Sequence, residues 1–277
     1  MARFRTGRLP GKGLHLIGLL AVFVFAVFPF YWMVSSSFKS GADLLASPPR
    51  WLFAPTLEHY QAVFADQKVT SSILDSLVVA LCTTALAVGL GTPAAYALAR
   101  FQFRGKSDLW FWFISNRMNS PIVLALPIYL LALRAGMLDT YLVLVLVYLT
   151  FTLPIVVWIC TDQFRAIPFE LEQAARLDGV NQFGIFWRIF LPLGLPGIAV
   201  SAIFSFIFSW NELLFALVLT RRAVQTAPVA ATSFMSGYEL PWGKIMATGT
   251  LIVLPVTVFA LLVSRHMIRG LTMGASK

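Results

Sequence analysis

Three groups of polar residues in this sequence have types and spacings that point to chemistry. Gly105-Lys106-Ser107 ends like a phosphate-cradling loop. Such a loop needs a glycine five residues earlier and a strand leading into it. Arg100 stands at the glycine position and no strand pattern precedes it, so the segment reads as a basic loop and ATP binding by this chain is not expected. The second group is Asn116-Arg117 with Asn119, together with Trp210-Asn211-Glu212. Charged groups within apolar stretches are costly to insert and are usually functional or paired. The third is an ordered polar loop over residues 163–192, whose composition suggests protein docking. Cys82 and Cys160 lie in apolar runs, and His15, His59 and His266 are scattered, so neither a disulfide framework nor a metal site is indicated.

The elements that must position these groups are apolar. Of the 277 residues, 58% are hydrophobic and only 12% charged, and mean hydropathy is +0.80. A soluble domain carries roughly 25% charged residues, so much of this exterior is expected to face lipid. The net charge of +9 is divided among short segments between apolar stretches, which argues against nucleic-acid binding. A spanning helix needs about 20 largely apolar residues. The stretches predict an all-α, polytopic membrane protein with six spans at about 14–38, 73–99, 109–133, 140–162, 189–219 and 245–264. Short tails flank them at 1–13 and 268–277. Arg3, Arg5, Arg8 and Lys12 precede a run, 16–38, with no charge. That run is too long for a cleaved signal, so a retained signal anchor is expected.

With both termini on one side, that side holds thirteen Lys and Arg residues and the other holds seven. The positive-inside bias therefore predicts cytoplasmic termini. Pro29, Pro93, Pro121, Pro127, Pro154 and Pro255 fall within spans, which suits helices packed around a cavity. The second span carries Ala80, Ala85, Ala87, Gly89, Gly91, Ala94, Ala95 and Ala97, small residues that permit close helix packing.

The loop between the fourth and fifth spans begins at Pro168 and turns at Gly179, the asymmetry expected of a short helix over 168–178. Ile167 is its expected, and poor, N-cap, while Asn181 is a good N-cap for a second helix that enters the membrane near Pro192. Ala174 and Ala175, flanked by Glu170, Glu172 and Arg176, would leave a flat exposed patch open to another protein's backbone.

This loop resembles that of ABC importer permeases. Gln173-Ala174-Ala175, then Gly179, and after nine residues Ile189 and Leu191-Pro192 follow the family's E-A-A-x-x-x-G and I-x-L-P pattern, with Gln173 at the glutamate position. Asn116-Arg117-Met118 with Pro121, Trp210-Asn211-Glu212 and the tail Leu271-Thr272-Met273-Gly274-Ala275 also look like carbohydrate-uptake permeases, nearest the shorter six-helix, maltose-type subunit.

The resemblance implies a transport subunit in a bacterial inner membrane, not an enzyme, taking up a sugar, oligosaccharide or polyol. It implies a docking loop for a separate ATPase formed by Glu170, Glu172, Gln173, Ala174, Ala175, Asp178, Gly179, Ile189, Leu191 and Pro192, with ATP and Mg bound by that ATPase. It further implies a second permease as heterodimer partner, two ATPase copies and an extracytoplasmic solute-binding protein. Asn116, Arg117, Asn119, Trp210, Asn211 and Glu212 are candidates for the substrate path, although Arg117 could instead pair with another helix or snorkel. The outer loops 39–75 and 220–244 could meet the binding protein or be ordinary connections. Another cargo such as glycerol phosphate or an amino acid is an alternative. An ion-coupled secondary transporter is a more distant one, since no internal repeat and no acidic residue near a span centre support it.

Overall fold

The computed structural model describes residues 11–116, 118–234 and 240–274, with side chains described over 16–116, 118–234 and 240–262. Every regular element among them is helical. The chain divides into two compact units, residues 1–65 with 239–251, and residues 66–238 with 252–277.

The first unit contains α1 (Gly11–Ser37), α2 (Gly41–Leu44), α3 (Glu58–Ala65) and the start of the last helix. The apolar side chains of α1 from Leu16 to Val34 are mostly exposed, as a lipid-facing span requires. The chain then folds back over the end of α1. Ser37 Oγ and Tyr60 Oη lie 2.7 Å apart, the Phe38 and Tyr60 rings are in contact at 5.1 Å, and Trp51 meets Trp32 edge-on.

The second unit is built on α4 (Gln67–Arg100), followed by α5 (Lys106–Asn116), α6 (Pro121–Arg134) and α7 (Tyr141–Arg165). Asp66 caps α4 by accepting from the Lys68 N–H. Thr140 caps α7 by accepting from Val143. At 1.5 Å per residue the 34 residues of α4 reach about 51 Å, well beyond a hydrocarbon core of about 30 Å. Ala80, Ala87, Gly91 and Ala95 are buried along one stripe of α4, against α7 and α10. A Cβ on Gly91 would stand 2.7 Å from Val156 Cγ1, so this crossing requires glycine. Gly89, by contrast, faces open space.

The loop helix α8 (Phe169–Leu177) is followed by α9 (Gln182–Ile185), a π turn (Phe186–Phe190) and α10 (Leu191–Trp210), which run on without a break. Then come α11 (Leu214–Leu219), α12 (Ala227–Ser233) and α13 (Trp242–Gly274). Within this unit, Ile252, Val256 and Phe259 pack against Ala80, Phe206 and Trp210.

Among the described residues, five helices are long and apolar enough to cross a membrane: Leu16–Ser37, Gln67–Arg100, Tyr141–Arg165, Gln182–Trp210 and Trp242–Leu262. The expected third span is two shorter helices, α5 and α6, parted at Asn116–Pro121. Pro121 lacks the N–H that would continue α5 and starts α6 instead. The expected fifth span is longer at its start, because α9 and the π turn join it, and it stops at Trp210 rather than running to 219. The last helix continues through Gly274, beyond the expected span end at 264, while Ala275 and Arg3, Arg5 and Arg8 lie outside the described residues.

Candidate functional site: the α8 docking face and two polar helix breaks

Helix α8 forms as expected, but its caps differ. Pro168 is the N-cap, outside the first turn, and Ile167 is buried in the core one residue earlier. The C-terminus closes as a complete Schellman motif. Val180 N–H donates to Ala175 O (2.9 Å) and Gly179 N–H to Arg176 O (3.1 Å). Gly179 supplies the left-handed residue at φ +78°, which costs other residues about 1–2 kcal/mol. Asn181 caps the next helix through Gly184 N–H, as its type suggests.

The expected exposed patch is half right. Glu170, Gln173, Ala174, Asp178 and Gly179 are exposed. Glu172 and Ala175 are buried, with Glu172 only 1% exposed. The reason is helical geometry: positions 172 and 175 share the face that rests on the bundle. There Ala175 joins a core of Ile167, Tyr96, Phe164, Ile185 and Phe190. The outward stripe instead runs Phe169, Gln173, Leu177, residues four apart. Leu177 is 89% exposed, and Phe169, Phe183 and Trp187 are also exposed. Phe169, Leu177, Phe183 and Trp187 were absent from the sequence-based set. The signal that could have found them is the same four-residue period, read for its outward rather than its inward face. Of the later motif residues, Ile189 and Leu191 are partly buried against the core, and Pro192 is exposed in the first turn of α10.

Arg100, at the end of α4, joins this platform together. Its guanidinium donates to Phe164 O at 2.9 Å and to Ile167 O. It faces Glu172 Oε2 at 3.8 Å and covers the Phe190 ring at 4.6 Å. Glu172 Oε1 also accepts from Arg176 at 2.6 Å. Beside them Tyr96 Oη donates to Gln182 Oε1 at 3.0 Å. One buried guanidinium thus contacts the ends of α4 and α7, the helix α8 and the π turn. Displacing α8 alone would part Glu172 from Arg100 and leave it with Arg176 only, at a desolvation cost. The residue that disqualified Gly105-Lys106-Ser107 as a nucleotide loop is therefore a structural hub. In that segment Lys106 Nζ donates to Phe101 O.

The two polar clusters meet the same stretch of α7. Asn116 ends α5 and its Nδ2 donates to Thr150 O at 3.1 Å. Asn119 is exposed in the bend before α6, and Arg117 lies outside the described residues. Trp210 is fully buried, stacked on Phe206, with Nε1 donating to Ile252 O. Its indole is engaged in packing. Asn211 is exposed and donates to Ile207 O. Glu212 Oε1 accepts from Phe215 N–H, and its carbonyl accepts from Tyr148 Oη. Residues 148 and 150 are separated by about 3 Å along the axis of α7. Both helix breaks therefore touch α7 within a single turn of it. Non-helical backbone within a membrane is tolerated where protein or a water-filled cavity surrounds it.

The sequence matches the family model described as "Binding-protein-dependent transport system inner membrane component" over residues 87–273. It is 37% identical over 268 residues to the trehalose transport system permease protein SugB of Mycobacterium tuberculosis, covering 89% of this chain and 97% of that one. It is 31% identical over 268 residues to the trehalose/maltose transport system permease protein MalG of Thermococcus litoralis, covering 95% and 96%. The fold is similar to a chain of a crystallised bacterial ABC transporter involved in the import of the acidic polysaccharide alginate. That match has a TM-score of 0.73 at 21% identity and covers 95% of this chain and 99% of that one. The chain thus belongs to the binding-protein-dependent transport system inner membrane components, and is a multi-pass inner-membrane permease of an ABC transporter.

Proposed function

We propose that this permease belongs to an ATP-driven importer for a sugar, oligosaccharide or polyol, and that α8 is the lever through which a separate ATPase moves it. The observation that carries this reading is the pairing of an outward stripe, Phe169, Gln173, Ala174 and Leu177, with an inward face tied to three other elements through Arg100 and Glu172. A partner that grips the outer stripe can tilt α4, α7 and α10 together. Relatives whose names specify trehalose and maltose support the cargo class. The breaks around Asn116–Asn119 and Asn211–Glu212, with Arg117, would line its path.

In this reading the chain has no ATPase site of its own, and ATP and Mg are bound by the partner. The assembly is a heterodimer of permeases with two ATPase copies and an external binding protein that delivers the cargo. Both termini, and α8 with them, face the cytoplasm. ATP binding biases a two-state bundle from inward-open to outward-open.

The test is reconstitution with the neighbouring permease and ATPase in liposomes, measuring ATP hydrolysis stimulated by the loaded binding protein. Ala174→Asp and Leu177→Asp place charges on the outer stripe without touching the core. Both are expected to abolish stimulation and to release the ATPase on purification. Full stimulation in both variants would remove α8 as the docking element.

A further inference from the structure

A cavity of about 220 Å³ lies at the C-terminal end of α1, within the first unit, lined by Trp32, Ser36, Lys39, Asp43, Trp242 and Met246 among others. It shares no lining residue with the outer face of α8 or with either polar break. Lys39 is only 3% exposed. Its ammonium sits 4.5 Å from the centre of the Trp32 ring and 5.2 Å from that of Phe53. Among the described residues that ammonium makes no ion pair or hydrogen bond. A ring face attracts a cation but supplies no net negative charge. The adjacent carboxylate is already engaged: Asp43 accepts from Ser40 Oγ at 2.8 Å and pairs with Arg50 at 2.8 Å. Those two contacts hold its carboxyl below the usual range. Lys39, Asp43 and Arg50 together leave one positive charge in excess. Ser36 lines the same cavity and is 1% exposed, and among the described residues its hydroxyl has no hydrogen-bond partner.

We propose that this cavity binds an oxyanion: the phosphodiester of a phospholipid head group, or a soluble phosphate of the same chemistry. A buried cation calls for a paired anion, and the Ser36 hydroxyl is a second donor on a residue that lines the same cavity. A neutral sugar would meet the hydroxyl but leave the charge uncompensated. The cavity volume equals that of about seven liquid waters at roughly 30 Å³ each, room for a phosphate with part of its substituent. The site terminates a helix whose apolar side chains are exposed from Leu16 to Val34. Tyr31 and Trp32 mark the level at which interfacial aromatics meet head groups. A lipid is therefore the favoured source.

The assembled complex is exchanged into nanodiscs of phosphatidylglycerol or of digalactosyldiacylglycerol, which has no phosphate. Retained lipid is counted by native mass spectrometry after detergent washing, and inorganic phosphate is titrated against thermal melting in the galactolipid discs. Wild type and Lys39→Arg should retain phosphatidylglycerol, while Lys39→Met and Ser36→Ala retain about tenfold less, the effect of one charge-assisted contact. If phosphatidylglycerol is not retained, but inorganic phosphate raises the melting temperature of wild type and not of Lys39→Met, the site takes a soluble anion. Equal retention and equal phosphate response in wild type, Lys39→Met and Ser36→Ala overturn the proposal. So does a wild type that responds to neither ligand, whatever the assembly of the variants.

Discussion

Arg100 shows how one side chain can serve several elements at once. Its contacts are two backbone carbonyls, a carboxylate and an aromatic face. Lysine offers a point charge in place of the planar fork and cannot reproduce that set. Arg100→Gln leaves Glu172 buried with Arg176 alone. Breaking a buried pair costs about 3–5 kcal/mol, and the surviving partner places this case near the lower end. The expected result is a lower melting temperature of the complex together with fewer substrate molecules transported per ATP hydrolysed. Arg100→Lys should recover most of the melting temperature and less of the coupling ratio. Loss of stability with an unchanged ratio in both variants would make Arg100 a packing residue only.

At the scale of elements, turns and caps set what moves as a body. Gly179→Ala puts a side chain on a left-handed residue at φ +78° and is expected to cost about 1–2 kcal/mol. Limited proteolysis should show the α8–α9 connection cleaved faster, with the span helices unaffected. The opposite end of the second unit has a comparable fastening. Asp139, in the α6–α7 turn, accepts backbone N–H groups from Arg221, Arg222, Ala223 and Val224. Asp75 and Ser76 of α4 receive Gln225 and Ala227. Partial burial would raise the Asp139 carboxyl, but the four N–H groups prevail and lower it from 3.8 to about 2. A depressed value means that its stabilisation is complete above pH 4 and vanishes as pH falls through about 2. Asp139→Asn should lose about 1–2 kcal/mol at neutral pH, since an amide offers a single acceptor oxygen. The difference in melting temperature between wild type and Asp139→Asn should shrink from pH 4 to pH 2. A constant difference over that window would contradict this account of the 221–224 turn.

For the whole molecule, the two breaks that touch one turn of α7 give the transport reading a measurable form. Arg117→Ala and Glu212→Ala are expected to assemble with their partners and to lower uptake, with binding-protein-independent ATP hydrolysis retained. Normal uptake by either variant would remove that residue from the substrate path. Trp210, buried and bonded to Ile252 O, has a different expected outcome. Trp210→Ala opens a cavity beside Phe206 and should destabilise by about 3–5 kcal/mol before any effect on cargo is read.

Much of this protein follows from local rules in its sequence. Spans declare themselves because lipid admits about 20 apolar residues in succession, and five of the six expected stretches coincide with a single long helix among the described residues. The α8 element, its turn at Gly179 and the cap at Asn181 follow from backbone requirements that only certain residues meet. The 168–192 loop likewise stood out as a motif. What only the tertiary structure decided is which face of each element turns inward. Ala175 looks like part of an exposed patch, and Glu172 like its flank, until α8 is seated on the bundle. Arg100 reads as a positive-inside charge until Phe164, Ile167 and Glu172, all more than sixty positions away, converge on it. The division of the third stretch at Asn116–Pro121 was similarly hidden, because hydropathy averages over a break that a proline and its neighbours impose. Burial, and with it the cost of an unpaired charge, is a property of assembled helices and cannot be read along a single one.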